Sequence, residues 1–279
     1  MDKNKVKIEE PFYKYRTVSQ CYSKGISLLT DNFRFFFKFL WPVTAICSLL
    51  STLINMVQLF PYHISLPYME FFKPHISVIL AIADMAVFCI FLSYVYTLIK
   101  LHASSYDLSK LSFRFFVRES SNNMKTVYAL YALMLLAAVL TSVIFPLVYV
   151  LVMLVLPCLM LSGKKFWNGI KSGIKLGWFF FFRNLSMFLL LTFTVGVVLV
   201  LLNAPVYLFY IYHNSAELSA QAGDIVNTPY IYYYMISVAC FIIFFISFFI
   251  SIAFYIPTAY LYASAQVAYE KKLTNTGEY

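Results

Sequence analysis

Charged residues are scarce in this sequence. They make up 12% of its 279 residues, with 12 acidic and 21 basic side chains. Soluble domains carry about 25% charged residues, because polar groups must cover the surface of a folded domain. Apolar residues account for 62% of the chain and aromatic residues for 20%. These proportions exclude a water-soluble globular protein and predict that lipid surrounds most of the chain.

Residues that could support enzyme chemistry are also few. The five cysteines are an odd number without C-x-x-C spacing, so we expect neither disulfides nor cysteine metal ligands. No H-E-x-x-H motif, phosphate-binding P-loop or G-x-S-x-G motif is present. These absences predict a non-enzymatic protein without catalytic residues, cofactor or metal site.

The basic residues are confined to short segments beside long apolar runs. The net charge of +9 would suggest a nucleic-acid partner in a soluble protein. Here the positions of the charges favour attraction to anionic lipid headgroups. We therefore expect membrane lipids as partners, with a membrane protein as a possible second partner. We expect no nucleic-acid partner.

The segment 162–184 is the most informative stretch of the chain. On a helical wheel at about 100° per residue, one half carries apolar and aromatic side chains and the other half carries four lysines. Only Leu176 is an apolar residue on the basic side. Such a helix is typical of one that lies in the membrane–water interface, with its lysines on lipid headgroups. The apolar half comprises Phe166, Trp167, Ile170, Ile174, Trp178 and Phe181, and the lysines are Lys164, Lys165, Lys171 and Lys175.

Three glycines follow the edge of this apolar face at four-residue spacing. Gly169, Gly173 and Gly177 form a small-xxx-small pattern, which favours close docking of another helix. The alternative is a helix merely weakened by its glycines. In either interpretation the role of the glycines is structural.

Two further interfacial helices are expected. Thr17 and Gln20 form a capping box, and the helix that follows carries an apolar side. The segment 103–124 is predicted as a third interfacial segment, less regular than the others. The apolar side of the first helix comprises Val18, Tyr22, Ile26, Leu29 and Phe33, and that of the segment 103–124 comprises Leu108, Leu111 and Phe115.

Long apolar runs predict six membrane spans. The run 126–161 has 36 residues without a charge, which as one helix would be about 54 Å long against a hydrocarbon core of about 30 Å. We therefore expect a hairpin that turns at Pro146. Loops are predicted around Pro61, Pro67 and Pro74, through which no helix runs, and at 213–228.

The predicted fold class is an all-α polytopic membrane protein. Six transmembrane helices form three hairpins, each preceded by a cytoplasmic interfacial amphipathic helix. A single membrane domain, 17–262, lies between an N-terminal tail, 1–16, and a C-terminal tail, 263–279, both cytoplasmic. The predicted spans are 35–59, 76–101, 126–144, 146–161, 185–210 and 232–262.

The distribution of positive charge predicts the orientation. In this topology 20 of the 21 lysine and arginine residues fall on one side of the membrane, and Lys73 falls on the other. The positive-inside rule then places both termini in the cytoplasm.

One carboxylate lies within a predicted span. Asp84 falls inside span two, where a charged side chain is costly and indicates a functional site by default. The alternative is a carboxylate that is hydrogen-bonded inside the bundle, with Asn55, Gln58 or Asn203 as candidate partners. The first interpretation predicts a small transporter and the second a structural group.

Two weaker patterns could support chemistry. His102 and Asp107 have the H-x4-D spacing that resembles lipid acyltransferases, although a solvated helix end is the commoner explanation. A metal site in the predicted outer loops would need three or four side chains to converge, and loop residues that face water are commoner. The loop candidates are His63, Glu70, His75, His213, Glu217 and Asp224.

Short fragments hint at an internal repeat. The sequence GISL at 25–28 matches GIKL at 173–176, and Pro157 and Pro257 lie at similar places near the ends of spans four and six. These fragments are short enough to have arisen by chance.

Three longer patterns resemble a known family. They are TVSQCYSKGISLLTDNFRFFFKFLWP, LPCLMLSGKKFWNGIKSGIKLGWFFFFRNL and IPTAYLYASAQVAYEKK. Together they resemble the six-span membrane domain associated with glycerophosphodiester phosphodiesterases and related uncharacterised bacterial integral membrane proteins. In that family the hydrolytic chemistry belongs to a separate soluble domain. The resemblance therefore implies a bacterial cytoplasmic membrane location and no catalytic residues in this chain.

Three functions follow in order of preference. We expect a non-enzymatic scaffold, accessory or lipid-contacting component of the bacterial cytoplasmic membrane. The second hypothesis is a small transporter or permease that uses Asp84. The third, more remote, is an acyltransferase-like enzyme that uses His102 and Asp107.

Overall fold

A computed structural model gives the fold of the protein. It describes the backbone of residues 11–59, 69–104, 111–140, 145–221 and 230–276. Among these residues, the side chains of 58–59, 69–77, 137–140, 145, 210, 213, 214, 216, 217, 220–221, 230–232 and 276 are not described.

Every regular element in these ranges is helical, as the sequence predicts. Thr17 and Gln20 form the expected capping box at the start of the first helix. The elements are α1 (Val18–Asp31), α2 (Phe33–Leu59), α3 (Met69–Ala103), α4 (Phe113–Leu140), α5 (Phe145–Val152), α6 (Val155–Leu161), α7 (Phe166–Phe179), α8 (Phe181–Leu191), a π-helical turn (Thr192–Gly196), α9 (Val197–Gln221) and α10 (Tyr230–Thr276).

Four helical stretches of the described residues are long and apolar enough to cross a membrane. Their composition and length make this a membrane protein. A shorter apolar stretch, Pro146–Leu161, comprises most of α5 together with α6. The four stretches are Phe33–Val57, Val78–Ala103, Phe181–Phe209 and Tyr233–Asn275.

Several helices extend beyond the predicted spans. The loop expected around Pro74 is wrong from Met69 onward, because α3 begins there and includes Pro74. The loop expected at 213–228 is wrong up to Gln221, where α9 ends. Polar residues do not stop these helices, since a continuing helix satisfies its own backbone hydrogen bonds.

The predicted third interfacial segment is joined to the next apolar run without a break. Helix α4 begins at Phe113 and runs through Lys125 to Leu140. In its first turn Phe116 is buried, whereas Phe115, which we expected on the apolar side, is 38% exposed. Leu108 lies outside the described residues.

The last helix is much longer than a bilayer requires. Helix α10 has 47 residues and would be about 70 Å long, whereas the hydrocarbon core is about 30 Å thick. It therefore continues from the predicted sixth span into the predicted C-terminal tail.

Contacts divide the chain into two compact units. The first contains residues 1–40, 92–195 and 252–279, and includes α1 and α4 through α8. The second contains residues 41–91 and 196–251.

The second unit has a small apolar core. Met56, Val206, Ile236 and Cys240 are buried together, with Phe209, Ile243 and Phe244 packed around them. The five cysteines of the chain are buried and free.

Candidate functional site

Helix α7 presents three different faces in the first unit. One face is buried against α5 and α6. Next to it on a wheel of about 100° per residue lies an apolar face, on which Trp167 is 64% and Trp178 74% exposed. Beyond the tryptophans comes the lysine face. The buried face consists of Gly169, Gly173, Leu176 and Gly177.

This arrangement corrects the predicted position of Leu176. We expected Leu176 to be out of place on the basic side, but it is 6% exposed and packs with the glycines. The apolar half of the wheel predicted from the sequence is therefore not the packed face. It is left open beside the lysines.

The glycines allow α7 to lie directly on its neighbours. A Cβ atom at Gly173 would lie 2.6 Å from the Cα of Val155, a backbone atom that cannot move aside. At Gly177 a Cβ would meet the carbonyl oxygen of Leu151. At Gly169 it would meet only the end of the Leu159 side chain. The helix axes therefore approach more closely than any larger residue would permit.

A tight turn connects α6 to α7. Gly163 has φ of 65°, in the left-handed region that favours glycine. The hydroxyl of Ser162 donates to the carbonyl of Cys158 at 2.6 Å and accepts the N–H of Lys164 at 3.3 Å. The turn directs α7 back onto α6.

The four lysines differ in their contacts. Lys164 Nζ donates to Ser172 Oγ at 3.1 Å, and Lys175 Nζ lies 5.3 Å from the centre of the Tyr269 ring. Lys165 and Lys171 are exposed and make no hydrogen bond or ion pair within the part of the chain that the structure describes. These two charges are available to an external anion.

Helix α1 has the same design as α7. Both have 14 residues, and their fourth, eighth and eleventh positions are buried. Each ends at a single residue with similar backbone angles, −114° and 21° at Asn32 and −111° and 29° at Phe180. An apolar helix follows at once in both cases. The equivalent buried residues are Cys21, Gly25 and Leu28 in α1 and Gly169, Gly173 and Leu176 in α7.

The packing partner of α1 lies at the other end of the chain. A Cβ at Gly25 would lie 2.7 Å from the nitrogen of Pro257 in α10. As in α7, the predicted apolar side, which includes Tyr22 and Ile26, stays partly exposed. Both amphipathic helices therefore use small residues for docking and leave a broader apolar face open.

Asp84 is hydrogen-bonded within the second unit. Ser51 Oγ donates to Asp84 Oδ1 at 2.6 Å, and Asn55 Nδ2 donates to the carbonyl of Ser51 at 2.8 Å. Asn203 Nδ2 instead donates to Ser247 Oγ at 3.1 Å. The side chain of Gln58 lies outside the described residues. Of the predicted group, only Asn55 thus shares a partner with Asp84, and Ser51 was not foreseen.

His102 lies in a buried aromatic contact. It is 8% exposed, and its Nε2 lies 3.3 Å from Tyr260 Oη. The ring of Phe12 meets it edge-on with centres 6.1 Å apart. Burial shields the imidazole from a substrate, and Asp107 lies outside the described residues.

The predicted metal candidates of the outer loops cannot be placed. The side chains of His63, Glu70, His75, His213, Glu217 and Asp224 all lie outside the described residues. Among the residues that are described, no group of three or more metal-ligating side chains comes together.

The sequence did not predict a polar junction that the structure shows before α1. The N–H of Arg16 donates to Ser264 Oγ at 2.8 Å, and Arg183 Nη2 donates to the carbonyl of Arg16 at 2.7 Å. Arg16 Nη1 also donates to the carbonyl of Phe12 at 2.9 Å. The segment before α1 is thereby fastened to α8 and α10. The bonded residues are 248 and 167 positions apart in the sequence, so no local pattern predicts this junction.

The junction lies beside Cys21. Burial raises the pKa of the Cys21 thiol, while the positive charges of Arg183 and Arg16 oppose that shift. The thiol is therefore kept neutral at physiological pH.

Comparison with known proteins finds no relative: no family model matches the chain, and no curated protein and no solved structure shows significant similarity to it.

Proposed function

We propose that the protein is a non-enzymatic, lipid-contacting scaffold or accessory component of a bacterial cytoplasmic membrane. Its distinctive surface is helix α7, which holds anionic lipid headgroups on its lysines and acyl chains on its tryptophans. This role needs no catalytic residue, and the residues of α7 and its docking partners are sufficient for it.

One observation carries this proposal. The packed face of α7 is made of glycines and Leu176, so its aromatic face and its lysine face both remain open and adjoin each other. Aromatic rings beside lysines match the boundary between acyl chains and anionic headgroups. A helix meant only to fill a core would bury its tryptophans.

The proposed topology has six spans in three hairpins, with both termini and α7 in the cytoplasm. The apolar part of α4, together with α5 and α6, would supply spans three and four. Its support is the segregation of 20 of the 21 basic residues that this topology gives.

The lipid preference of α7 can be measured by tryptophan quenching. The chain has three tryptophans, so the Trp41→Phe variant leaves only Trp167 and Trp178 as reporters. The protein is reconstituted with brominated phosphatidylglycerol or, in parallel, with brominated phosphatidylcholine at the same mole fraction. We expect stronger quenching by the anionic lipid, and a weaker preference at high salt because the charges are screened.

A matched pair of variants tests the role of the lysines. Replacing Lys164, Lys165 and Lys171 by Gln should remove most of the preference, since each lysine near an anionic surface contributes about 1 kcal/mol. Replacing Lys3, Lys5 and Lys7 by Gln changes the net charge equally and should leave the preference intact. Equal quenching by both lipids in the parent protein would refute the proposal.

A transport function for Asp84 is the second candidate. The observation in its favour is the short hydrogen bond from Ser51, which holds the carboxylate in one orientation within the second unit. Asp84→Asn keeps the acceptor oxygen but not the charge. Unchanged growth and uptake at normal protein level favour the scaffold, whereas loss of uptake favours transport.

A further inference from the structure

The first turns of α4 carry a basic groove separate from α7. It is a shallow, largely open site of about 600 Å³ on one face of the helix. The described residues that line it all belong to α4 and combine two arginines, two polar side chains and two apolar ones. They are Phe113, Arg114, Val117, Arg118, Ser121 and Asn122.

The arginines stand one helical turn apart on an exposed face. Residues at i and i+4 are neighbours about 6 Å apart, so Arg114 and Arg118 repel each other. Neither makes a hydrogen bond or ion pair within the described residues. Glu119, the only acidic residue in this part of α4, is instead bound to Lys100, with Nζ and Oε1 3.0 Å apart.

The opposite face of the same turns fixes the helix in place. Phe116 and Ser120 are fully buried, and Phe116 packs edge-on against Tyr94 with ring centres 5.3 Å apart. Asn123 Nδ2 donates to Thr97 Oγ1 at 2.9 Å. The two arginines are thus displayed from a rigid support, which lowers the entropy cost of holding a ligand.

We propose that this groove binds a phosphate monoester. Two guanidinium groups one turn apart can each donate paired hydrogen bonds to phosphate oxygens, and the phosphate relieves their mutual repulsion. Ser121 and Asn122 add neutral donors. Phe113 and Val117 offer an apolar wall for the organic part of the ester.

The position of the groove is compatible with two sources of phosphate. Phe116 packs against Tyr94, which belongs to the apolar stretch Val78–Ala103. Glu119 binds Lys100 of the same stretch. The groove therefore lies beside the end of a candidate membrane span, and the ligand is either a soluble phosphate ester or the terminal phosphate of a lipid headgroup.

Two titrations of the full chain distinguish these sources. The first adds phenyl phosphate, a soluble phosphate monoester, to protein in phosphatidylcholine nanodiscs and follows the heat of binding. The second compares retention of phosphatidylinositol 4-phosphate with that of phosphatidylinositol, by native mass spectrometry of protein released from mixed nanodiscs. Saturable binding in the first points to a soluble ester, and selective retention in the second points to a lipid headgroup.

Variants of exposed residues test the site without disturbing the fold. Arg114→Gln and Arg118→Gln should each weaken binding about tenfold or more, and the double variant should abolish it. Replacing both arginines by Lys should also weaken it, because the ammonium lacks the planar pair of donors. Lys271→Gln removes one exposed charge outside the groove and should have no effect.

The proposal fails if neither titration shows binding to the parent protein. It fails equally if Lys271→Gln weakens binding as much as Arg114→Gln, since the effect would then be net charge alone. The site is independent of α7, so the outcome of the tryptophan-quenching experiment does not decide it.

Discussion

At the scale of single residues, the Asp84 contact shows how a carboxylate can be accommodated in an apolar segment. The hydroxyl of Ser51, which is 4% exposed, provides a hydrogen bond that replaces part of the lost hydration. The sequence identifies Asp84 because it is an isolated charge in an apolar run. It does not identify Ser51, because serines are frequent in these helices and none of them stands out by spacing.

Substitutions at this contact should have unequal effects on stability. Ser51→Ala removes the donor and leaves the carboxylate without it, so we expect a loss of about 1.5–3 kcal/mol. Asp84→Asn retains an oxygen that accepts from Ser51, and should change the free energy of unfolding by less than about 1 kcal/mol. Thermal unfolding in detergent measures both, and a larger loss for Asp84→Asn than for Ser51→Ala would contradict this account.

Cys21 gives a prediction about pH. Its folded pKa is raised by burial, so above the pKa of the unfolded thiol, about 8.5, the unfolded chain releases a proton that the folded chain retains. Burial of the neutral thiol therefore stabilises the fold fully below about pH 8.5. As the pH rises above this value, the free energy of unfolding falls by up to about 1.4 kcal/mol per pH unit.

The variant Cys21→Ala isolates this effect. Between pH 8 and pH 10 the parent protein should lose more thermal stability than Cys21→Ala does, whatever their difference at pH 7. Parallel curves for the two proteins would show that the thiol does not contribute.

At the scale of elements, α1 and α7 share one construction. Each is a short amphipathic helix docked through small residues and followed directly by a long apolar helix. The fragments GISL and GIKL align the two helices correctly. Periodicity alone could not show which face is packed, because it detects apolar side chains and the docking faces are built largely from glycine and cysteine.

The glycine contacts predict an order of stability losses. Gly173→Ala and Gly25→Ala place a methyl group against backbone atoms, and each should cost about 1–3 kcal/mol. Gly169→Ala meets only the end of the Leu159 side chain, which can rotate, and should cost less.

Unfolding in detergent, followed by circular dichroism, tests this order. Asn168→Ala, at an exposed position of the same helix away from the glycine face, serves as the matched control and should be close to neutral. Equal losses at Gly169 and Gly173 would mean that docking does not depend on backbone proximity.

The ends of the long helices do not coincide with the ends of the apolar runs. In α3, α9 and α10 the helix continues past the point where hydropathy falls. Hydropathy reports where lipid ends, whereas helix ends depend on backbone hydrogen bonds and on capping. For this reason the sequence predicts the apolar segments of these helices better than their ends.

At the scale of the whole molecule, composition is enough to predict an all-helical membrane protein. Only helices and closed barrels satisfy backbone groups in lipid, and the long apolar runs favour helices. The run 126–161 is harder to divide, because it contains no charge to mark a boundary. The structure ends α4 at Leu140 and begins α5 at Phe145, so Pro146 stands at the start of a helix, where proline is well tolerated.

The proposed role of α7 depends on the orientation of the chain in the membrane. Its lysines can meet the anionic lipid of the cytoplasmic leaflet only if this helix lies on the cytoplasmic side. The same topology places residue 217, near the end of α9, on the opposite side of the membrane.

Sided labelling of single cysteines tests this most directly. The five native cysteines are buried, so Lys171→Cys and Glu217→Cys can each be introduced as a single target for a membrane-impermeant maleimide. In intact cells the reagent should label residue 217 and not residue 171, and in inverted membrane vesicles the result should be reversed. Labelling of both positions from the same side would contradict the topology and, with it, the proposed role of α7.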